Sequence, residues 1–358
     1  MKKILFFIPF GLETAGGAER VLTLICNNLV DKEYKIEILS YEKTKVFYEL
    51  SPEISLLNLS FKNSKNFFIR KLKPLLLVFK LRRVILQNKY THVVALGDEA
   101  TILLSLTSLP KVINKITWIH NSIFENTYKI LDFFRRISYK KMDKIIMLNK
   151  TDSSIYRKKY KEKVVLIPNP IINLEKNIFE KKLNKTILSV GRLSKIKNYE
   201  KAIEVFSSIE KKYPDWKYKI IGKDEGEKEK LLKLIKNLNL KNVEIKRETS
   251  NINEEYKKAD IFLMTSINEC FPMVLLEARS NFLPIISFDC DSGPRDIVIN
   301  GYNGFLIKNK NIEKMKEKLI FLIENEKELF KFKKQSGEGL KKYYIKNILK
   351  YWKEEIFI

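Results

Sequence analysis

Residues 266–278 read SINECFPMVLLEA and carry two carboxylates, Glu269 and Glu277. A strand-like run, 261–266, ends just before them, and Pro272 suits the first turn of a helix. Glu269 then sits in the loop and Glu277 about two turns into the helix, so both can point into one cleft, one to each end of an elongated ligand. A carboxylate accepts hydrogen bonds from adjacent hydroxyls, the groups that a ribose or hexose presents. The alternative is a capped amphipathic helix with a solvated glutamate. Further upstream the strand-like run 186–190 ends in GRLSKIKN, which puts Arg192 and Lys197 just past a strand's carboxyl end. Two cations there can hold a diphosphate, arginine through its planar fork and lysine as a point charge. The bland reading is that any loop of so basic a chain carries a lysine.

A third loop, GLETAGGAER at residues 11–20, follows the strand-like run 4–9, and a helix starts near Gly17-Ala18. Exposed amides at a helix N-terminus attract anions, although the loop matches neither the P-loop nor the GxGxxG pattern. Histidine is scarce: His120 closes the strand-like run 116–120, and His92 opens another and is given no role. The three cysteines, Cys26, Cys270 and Cys290, show no close pairing. A disulfide scaffold, a four-cysteine zinc site and a histidine-rich metal centre are thereby excluded.

These residues need elements to position them. In the first half, strand-like runs at 4–9, 35–40, 54–59, 92–96, 116–120, 144–148 and 164–167 alternate with helical patterns such as 18–30 and 134–142. Pro168-Asn169-Pro170 and a polar stretch to Lys185 read as a linker. The pattern restarts with runs at 186–190, 218–222, 243–246, 261–266, 284–288 and 304–307, separated by helices such as 199–213, 228–238 and 272–281. The expectation is α/β: two Rossmann-like, doubly wound domains facing a central cleft, with ligands beyond the carboxyl ends of the strands. The domains are expected at 1–170 and 171–342, with a C-terminal helix at 343–358.

The length of 358 residues agrees with two domains. With 45% hydrophobic and 31% charged residues the chain can bury cores. No apolar run reaches the ~18 residues of a membrane span. The opening MKKILFFIPFG imitates a signal peptide, but its short apolar run suits a buried first strand, so a cytoplasmic setting is expected. Sixty-eight Lys and Arg against 43 Asp and Glu give a formal charge of +25. Residues 61–90 hold nine cations and no acid, interleaved with Phe67, Phe68, Leu72, Leu75, Leu76 and Phe79. Such a segment can lie on an anionic bilayer, peripherally on the inner face of the cytoplasmic membrane. A solvated helix face is the bland alternative. Nucleic-acid binding is the rival explanation of the charge, yet no zinc-finger, RRM or clear helix-turn-helix pattern accompanies it.

GGAER, GRLSKIKN, NECFPMVLLEA and DSGPRDIVINGYNGFLI occur in this order at wide spacing. Together they resemble the retaining glycosyltransferases of family 4, which have the GT-B fold, and the similarity spans nearly the whole chain. The resemblance implies transfer of a hexose or N-acetylhexosamine from a nucleotide sugar, UDP on family grounds, to a glycan or lipid-linked acceptor in bacterial lipopolysaccharide or capsule synthesis. It implies that the first domain supplies most of the acceptor site and the second binds the donor. By matching position, Arg192 and Lys197 hold the pyrophosphate, Glu277 the ribose, and Glu269 lies near the transferred sugar. Backbone around Phe271, Pro272, Met273 and Val274 approaches sugar and phosphates, Gly16 and Gly17 form the loop near donor phosphates and acceptor, and His120 lies near the donor sugar. The C-terminal helix is expected to cross back to the first domain.

Cys270 departs from the family's usual glycine, which puts the sugar contact there in doubt. Asp289-Cys290-Asp291 formally matches the metal-binding Asp-x-Asp of the other major glycosyltransferase fold. The resemblance argues against that role, so no metal and no cofactor are expected. A nucleotide-sugar epimerase of the same fold is the alternative enzyme.

Overall fold

A computed structural model describes residues 1–14, 16–60, 67–123, 129–172, 182–249 and 251–357, with residues 67–73 and 129–130 described by backbone alone. The chain forms two units, one of Met1–Pro170 with Tyr343–Ile358 and one of Ile171–Lys342.

In the first unit the short apolar run after the first residues becomes β1 (Lys2–Phe7), whose Ile4 to Phe7 are wholly buried. A strand covered on both faces reads as continuous hydrophobics, as here. Around it stand β2 (Tyr34–Ser40), β3 (Ser55–Asn58), β4 (His92–Leu96), β5 (Asn114–Trp118), β6 (Lys144–Met147) and β7 (Val164–Leu166), in the order β3-β2-β1-β4-β5-β6-β7. All pairings are parallel. The crossovers run through α1 (Gly17–Leu29), α2 (Phe67–Gln87), α3 (Gly97–Leu106), α4 (Lys129–Lys140) and α5 (Lys150–Tyr160). Strand order reverses between β1 and β4, so right-handed crossovers place α1 on one face and α2 to α5 on the other.

The second unit repeats the plan. Its strands β8 (Thr186–Val190), β9 (Lys217–Ile221), β10 (Val243–Lys246), β11 (Ile261–Met264), β12 (Ile285–Asp289) and β13 (Gly304–Lys308) lie in the order β10-β9-β8-β11-β12-β13, again parallel. The helices are α6 (Tyr199–Lys212), α7 (Lys228–Asn237), α8 (Ile252–Lys257), α9 (Met273–Ser280), α10 (Pro294–Ile297), α11 (Ile312–Glu324) and α12 (Glu326–Ser336). The order reverses between β8 and β11, the switch point where such sheets take ligands. Lys333 of α12 bonds the fully buried Asp260 at 2.9 Å, and the Arg279 guanidinium donates to the carbonyls of Ser336, Ile297 and Glu338. These bonds tie α12 to the residue before β11 and to α9 and α10.

The last helix, α13 (Ile345–Tyr351), and a π-helical turn at Trp352–Ile356 belong to the first unit. Trp352 packs against Phe6 and Trp118, and Phe357 against Tyr34 and His92, on the α1 face.

The expectation of two Rossmann-like doubly wound domains holds. Several element ends differ. β5 stops at Trp118, so His120 lies two residues beyond the strand rather than at its end. α4 runs over 129–140 rather than 134–142. In α2 the buried stripe is Leu77, Leu81 and Ile85, but Leu75, Leu76 and Phe79 are exposed, so apolar residues on both sides hide the helical period.

Candidate functional site

The second unit gathers its candidate residues at the carboxyl edge of the sheet. β8 ends at Val190 and is followed by Gly191, whose φ of 152° suits only glycine with ease. A Cβ on Gly222, just past β9, would collide with the Gly191 carbonyl, so the two loops pack backbone on backbone. The Leu193 amide donates to the Lys223 carbonyl at 2.7 Å and the Glu225 amide to the Leu193 carbonyl at 3.1 Å. Arg192 leaves this seam into solvent, 57% exposed, and its Nη1 meets Glu225 Oε1 at 2.7 Å.

Lys197 closes a short 3-10 turn, and the next residue, Asn198, is left-handed. Thr265 Oγ1 donates to the carbonyls of Lys197 (3.1 Å) and Asn198 (3.0 Å), and the Ile267 amide donates to Ile196 (2.8 Å). The turn is thus stitched to the chain leaving β11. That brings Lys197 Nζ to 2.5 Å from Glu269 Oε1, with the side chains only 18% and 12% exposed.

From the other side, the Ser292 hydroxyl donates to the Glu269 carbonyl at 3.0 Å and the Cys290 thiol to the Ser266 carbonyl at 3.1 Å. Gly293 has φ 86°, and a Cβ there would stand 2.7 Å from the Cys270 carbonyl. Burial, with Glu269 nearby, pushes the Cys290 thiol up to about 12, so it stays protonated and is no nucleophile. Cys270 is buried. Phe271 and Pro272 are buried at the entry to α9, and Met273 and Val274 are half-buried in its first turn. Glu277, further along α9, accepts from the Tyr256 hydroxyl of α8 at 2.9 Å. Asp289 is engaged by Arg295, Oδ1 to Nε 2.7 Å.

Beyond β9 and β10 lies a cavity of about 270 Å³, lined by Gly222, four cations (Lys223, Lys228, Lys246 and Arg247) and two acids (Asp224 and Glu248). Asp224 accepts from the amides of Lys228 and Gly226, which hold its carboxyl below the usual range. Across the sheet, therefore, the cationic cavity, the Arg192 and Lys197 loop, and Glu269 follow one another in the strand order β10, β9, β8, β11.

In the first unit Gly16 is the residue before α1, with an ordinary extended backbone (φ −70°), and Gly17 is already helical. Neither needs a positive φ. Among the described residues, nothing beyond its chain neighbours and its own helix backbone lies within 4 Å of where a Cβ on Gly17 would be. Thr14 Oγ1 donates to Glu19 Oε1 at 2.5 Å, across the mouth of the loop. The His120 ring packs on Trp118 with centroids 4.5 Å apart, and its buried Nε2 has no hydrogen-bond partner among the described residues. Burial lowers its pKa to about 4, so the imidazole is neutral near pH 7.

The structure thus brings Arg192, Lys197, Glu269, Glu277 and residues 271–274 to one sheet edge, and places Gly16, Gly17 and His120 in the other unit. Glu225, Tyr256 and Thr265 were not anticipated. Glu225 follows a strand-end glycine in GKDEGEK, the signal that pointed to Arg192; the other two lie far from their partners in sequence.

Residues 15–172 match the model for Glycosyltransferase Family 4, and residues 172–338 that for Glycosyl transferases group 1. The fold superposes on HepE of Anabaena, solved in complex with UDP-glucose, with a TM-score of 0.82 over 100% of both chains at 18% identity. An uncharacterized glycosyltransferase of Haemophilus influenzae is 31% identical over 99% of both chains. The chain belongs to the GT-B glycosyltransferases. This glycosyltransferase is also 25% identical, over 98% of its length and 97% of the relative's, to an N-acetyl-D-galactosaminyltransferase of Campylobacter jejuni whose named substrate is an undecaprenol-PP-linked saccharide. No helix among the described residues is long and apolar enough to cross a membrane.

Proposed function

We propose that the enzyme transfers a hexose or N-acetylhexosamine from a UDP-linked donor to a glycan or lipid-linked saccharide in the synthesis of a bacterial surface glycan such as lipopolysaccharide or capsule. Transfer retains the anomeric configuration and uses no metal. The observation that carries this reading is the order of the cavity, Arg192 and Lys197, and Glu269 at the carboxyl edge of the second sheet. The cavity beyond β9 and β10 takes the base. At about 270 Å³ it falls below the roughly 300–1,000 Å³ of pockets that hold a whole ligand, and so suits one end of an elongated one. Glu277, oriented by Tyr256, accepts from the ribose hydroxyls. Arg192 and Lys197 bind the diphosphate.

Glu269 and the amides opening α9 face the transferred sugar. The negative charge that develops on the leaving diphosphate is met by two fixed cations, the electrostatic work that a metal does elsewhere. Lys197 is already held by Glu269 before donor binds, so donor phosphate shares an existing, oriented cation. In the first unit Gly17 leaves room for the acceptor or donor to approach the backbone, and the neutral His120 bonds a sugar hydroxyl. The HepE structure with UDP-glucose supports the donor class, and the Campylobacter relative supports a lipid-linked acceptor. An acceptor of that kind sits at a bilayer, which agrees with the basic segment 61–90 meeting an anionic membrane. Of that segment, Lys62 and Lys65 lie outside the described residues, while Lys80, Arg82 and Arg83 are exposed on α2.

The test is transfer from a panel of UDP-sugars to an undecaprenol-linked saccharide in the presence of EDTA, with the product's anomeric configuration read by NMR. An α-configured donor is expected to give an α-linked product at undiminished rate. A β-linked product, or activity restored only by added Mg²⁺ or Mn²⁺, contradicts the finer parts of the proposal.

A further inference from the structure

In the first unit the chain leaving β2 folds over the loop that follows β1, at the carboxyl edge of the sheet. Tyr41 starts on the core, its ring 5.7 Å from that of Phe7 at the end of β1. The Leu12 amide then donates to Thr44 Oγ1 at 2.7 Å, the Phe47 amide to the Leu12 carbonyl at 2.7 Å, and the Lys45 amide to Glu13 Oε1 at 3.2 Å. Leu12 and Val46 thereby form a parallel bridge. Further on, Asn27 of α1 donates through Nδ2 to the Glu49 carbonyl at 2.8 Å and accepts on Oδ1 from the Ser51 amide at 2.9 Å. Residues 44–51 are thus pinned at both ends.

A segment held this firmly could turn its apolar side chains inward. It does not: Val46 and Phe47 are 40% and 45% exposed. The Phe47 ring stands edge to face with Tyr48, centroids 5.0 Å and planes 77° apart. Lone exposed apolar residues are ordinary. This ring differs because its backbone is bonded to the β1 loop and a second ring braces it, so little freedom is left to lose when a ligand settles on it. It also stands at the edge where such sheets take ligands.

The local charge narrows what the ring meets. Glu13, Glu42 and Glu49 are exposed here beside Lys43 and Lys45, so this edge carries no excess of cations in a chain of formal charge +25. An anionic surface finds no net attraction there, and an acyclic polyol phosphate has no ring face to lay on Phe47. A two-fold contact with a second copy would set the same acids opposite one another. A pyranose fits both features. One face is a patch of C–H groups, slightly positive, that suits the electron-rich face of an aromatic ring. Its rim of hydroxyls donates to carboxylates.

We propose that Phe47, braced by Tyr48, forms an acceptor subsite that takes the face of a pyranose ring of the acceptor saccharide. The proposal rests on the glycan-acceptor reading above and deepens it by naming the residues that hold the ring. Saturation-transfer NMR of the full-length protein with free oligosaccharides of glucose, galactose, N-acetylglucosamine and N-acetylgalactosamine reads the contact without turnover. Wild type is expected to saturate the ring C–H protons of at least one of them. Phe47→Ala should lose most of that signal and Phe47→Tyr should keep it. In transfer to an undecaprenol-linked saccharide, Phe47→Ala should raise the acceptor KM about five- to tenfold, with kcat and the calorimetric affinity for UDP unchanged.

No saturation transfer from any of the four sugars overturns the proposal, as does an acceptor KM in Phe47→Ala equal to that of wild type. Turnover confined to an acyclic polyol phosphate overturns it too. A Phe47→Ala variant with a lowered thermal midpoint and weakened UDP binding makes Phe47 a packing residue instead. A concentration-dependent dimer that Phe47→Ala abolishes gives the ring to a second copy. Saccharide contact through Phe47 without any UDP binding would leave this subsite standing and remove the donor reading.

Discussion

At the scale of single residues, the Lys197–Glu269 pair is the centre of the account. Neither side chain can lose its partner cheaply, because the survivor keeps a partly desolvated charge. Lys197→Ala should lower stability by about 2 kcal/mol, read from urea unfolding, and abolish UDP binding. Lys197→Met/Glu269→Gln should regain most of that stability without regaining UDP binding. A double variant no more stable than Lys197→Ala would show that the pair is not what strains the single one.

The two histidines make a second prediction. Burial depresses His92, near Lys2, and His120 to about 4. In the unfolded chain each takes a proton near pH 6.5, before the native protein does. Stability is therefore intact above about 6.5 and falls as pH drops toward 4, by up to about 1.4 kcal/mol per pH unit for each histidine. His120→Asn should flatten this slope in denaturation midpoints measured from pH 7 to 4.5; an unchanged slope would place His120 in contact with water. The charged residues of this site were readable in GRLSKIKN and NECFPMVLLEA because they follow strand ends. Tyr256 was not, because its bond to Glu277 depends on α8 packing beside α9, which no spacing encodes.

At the scale of elements, the loops at β8, β9, β11 and β12 brace one another through backbone contacts, and glycine is what permits them. Gly222→Ala forces a Cβ onto the Gly191 carbonyl and should cost about 2 kcal/mol together with UDP affinity, both measured by thermal shift. Gly17→Ala is the opposite case. Its added Cβ meets nothing among the described residues outside its own helix, and it lies in a helix, so it should stabilise by roughly 0.5–1 kcal/mol while slowing transfer. Wild-type transfer rates in Gly17→Ala would mean that no ligand approaches that backbone. The strands were largely legible, since buried parallel strands are short apolar runs. The helices were less so. α2 carries apolar residues on both sides and a proline at 74, and α3 starts at Gly97 with no residue between it and β4.

At the scale of the whole molecule, the chain ends where it began. Trp352 is fully buried against Phe6 and Trp118, so the last sixteen residues complete the core of the first unit. No local pattern predicts this return. Trp352→Ala should cost about 3–5 kcal/mol in guanidinium unfolding, with the loss confined to the transition of the first unit. If the transition of the second unit moved instead, the tail's seat would be assigned wrongly.

The claim on which the rest stands is that the carboxyl edge of the second sheet holds a nucleoside diphosphate through Arg192, Lys197 and Glu277. A calorimetric titration of UDP into wild type and into folded Glu277→Ala tests it most directly. Saturable binding to wild type, weakened at least about tenfold in the variant, is the expected result. Equal affinity for the two proteins, or no heat from wild type, would contradict it.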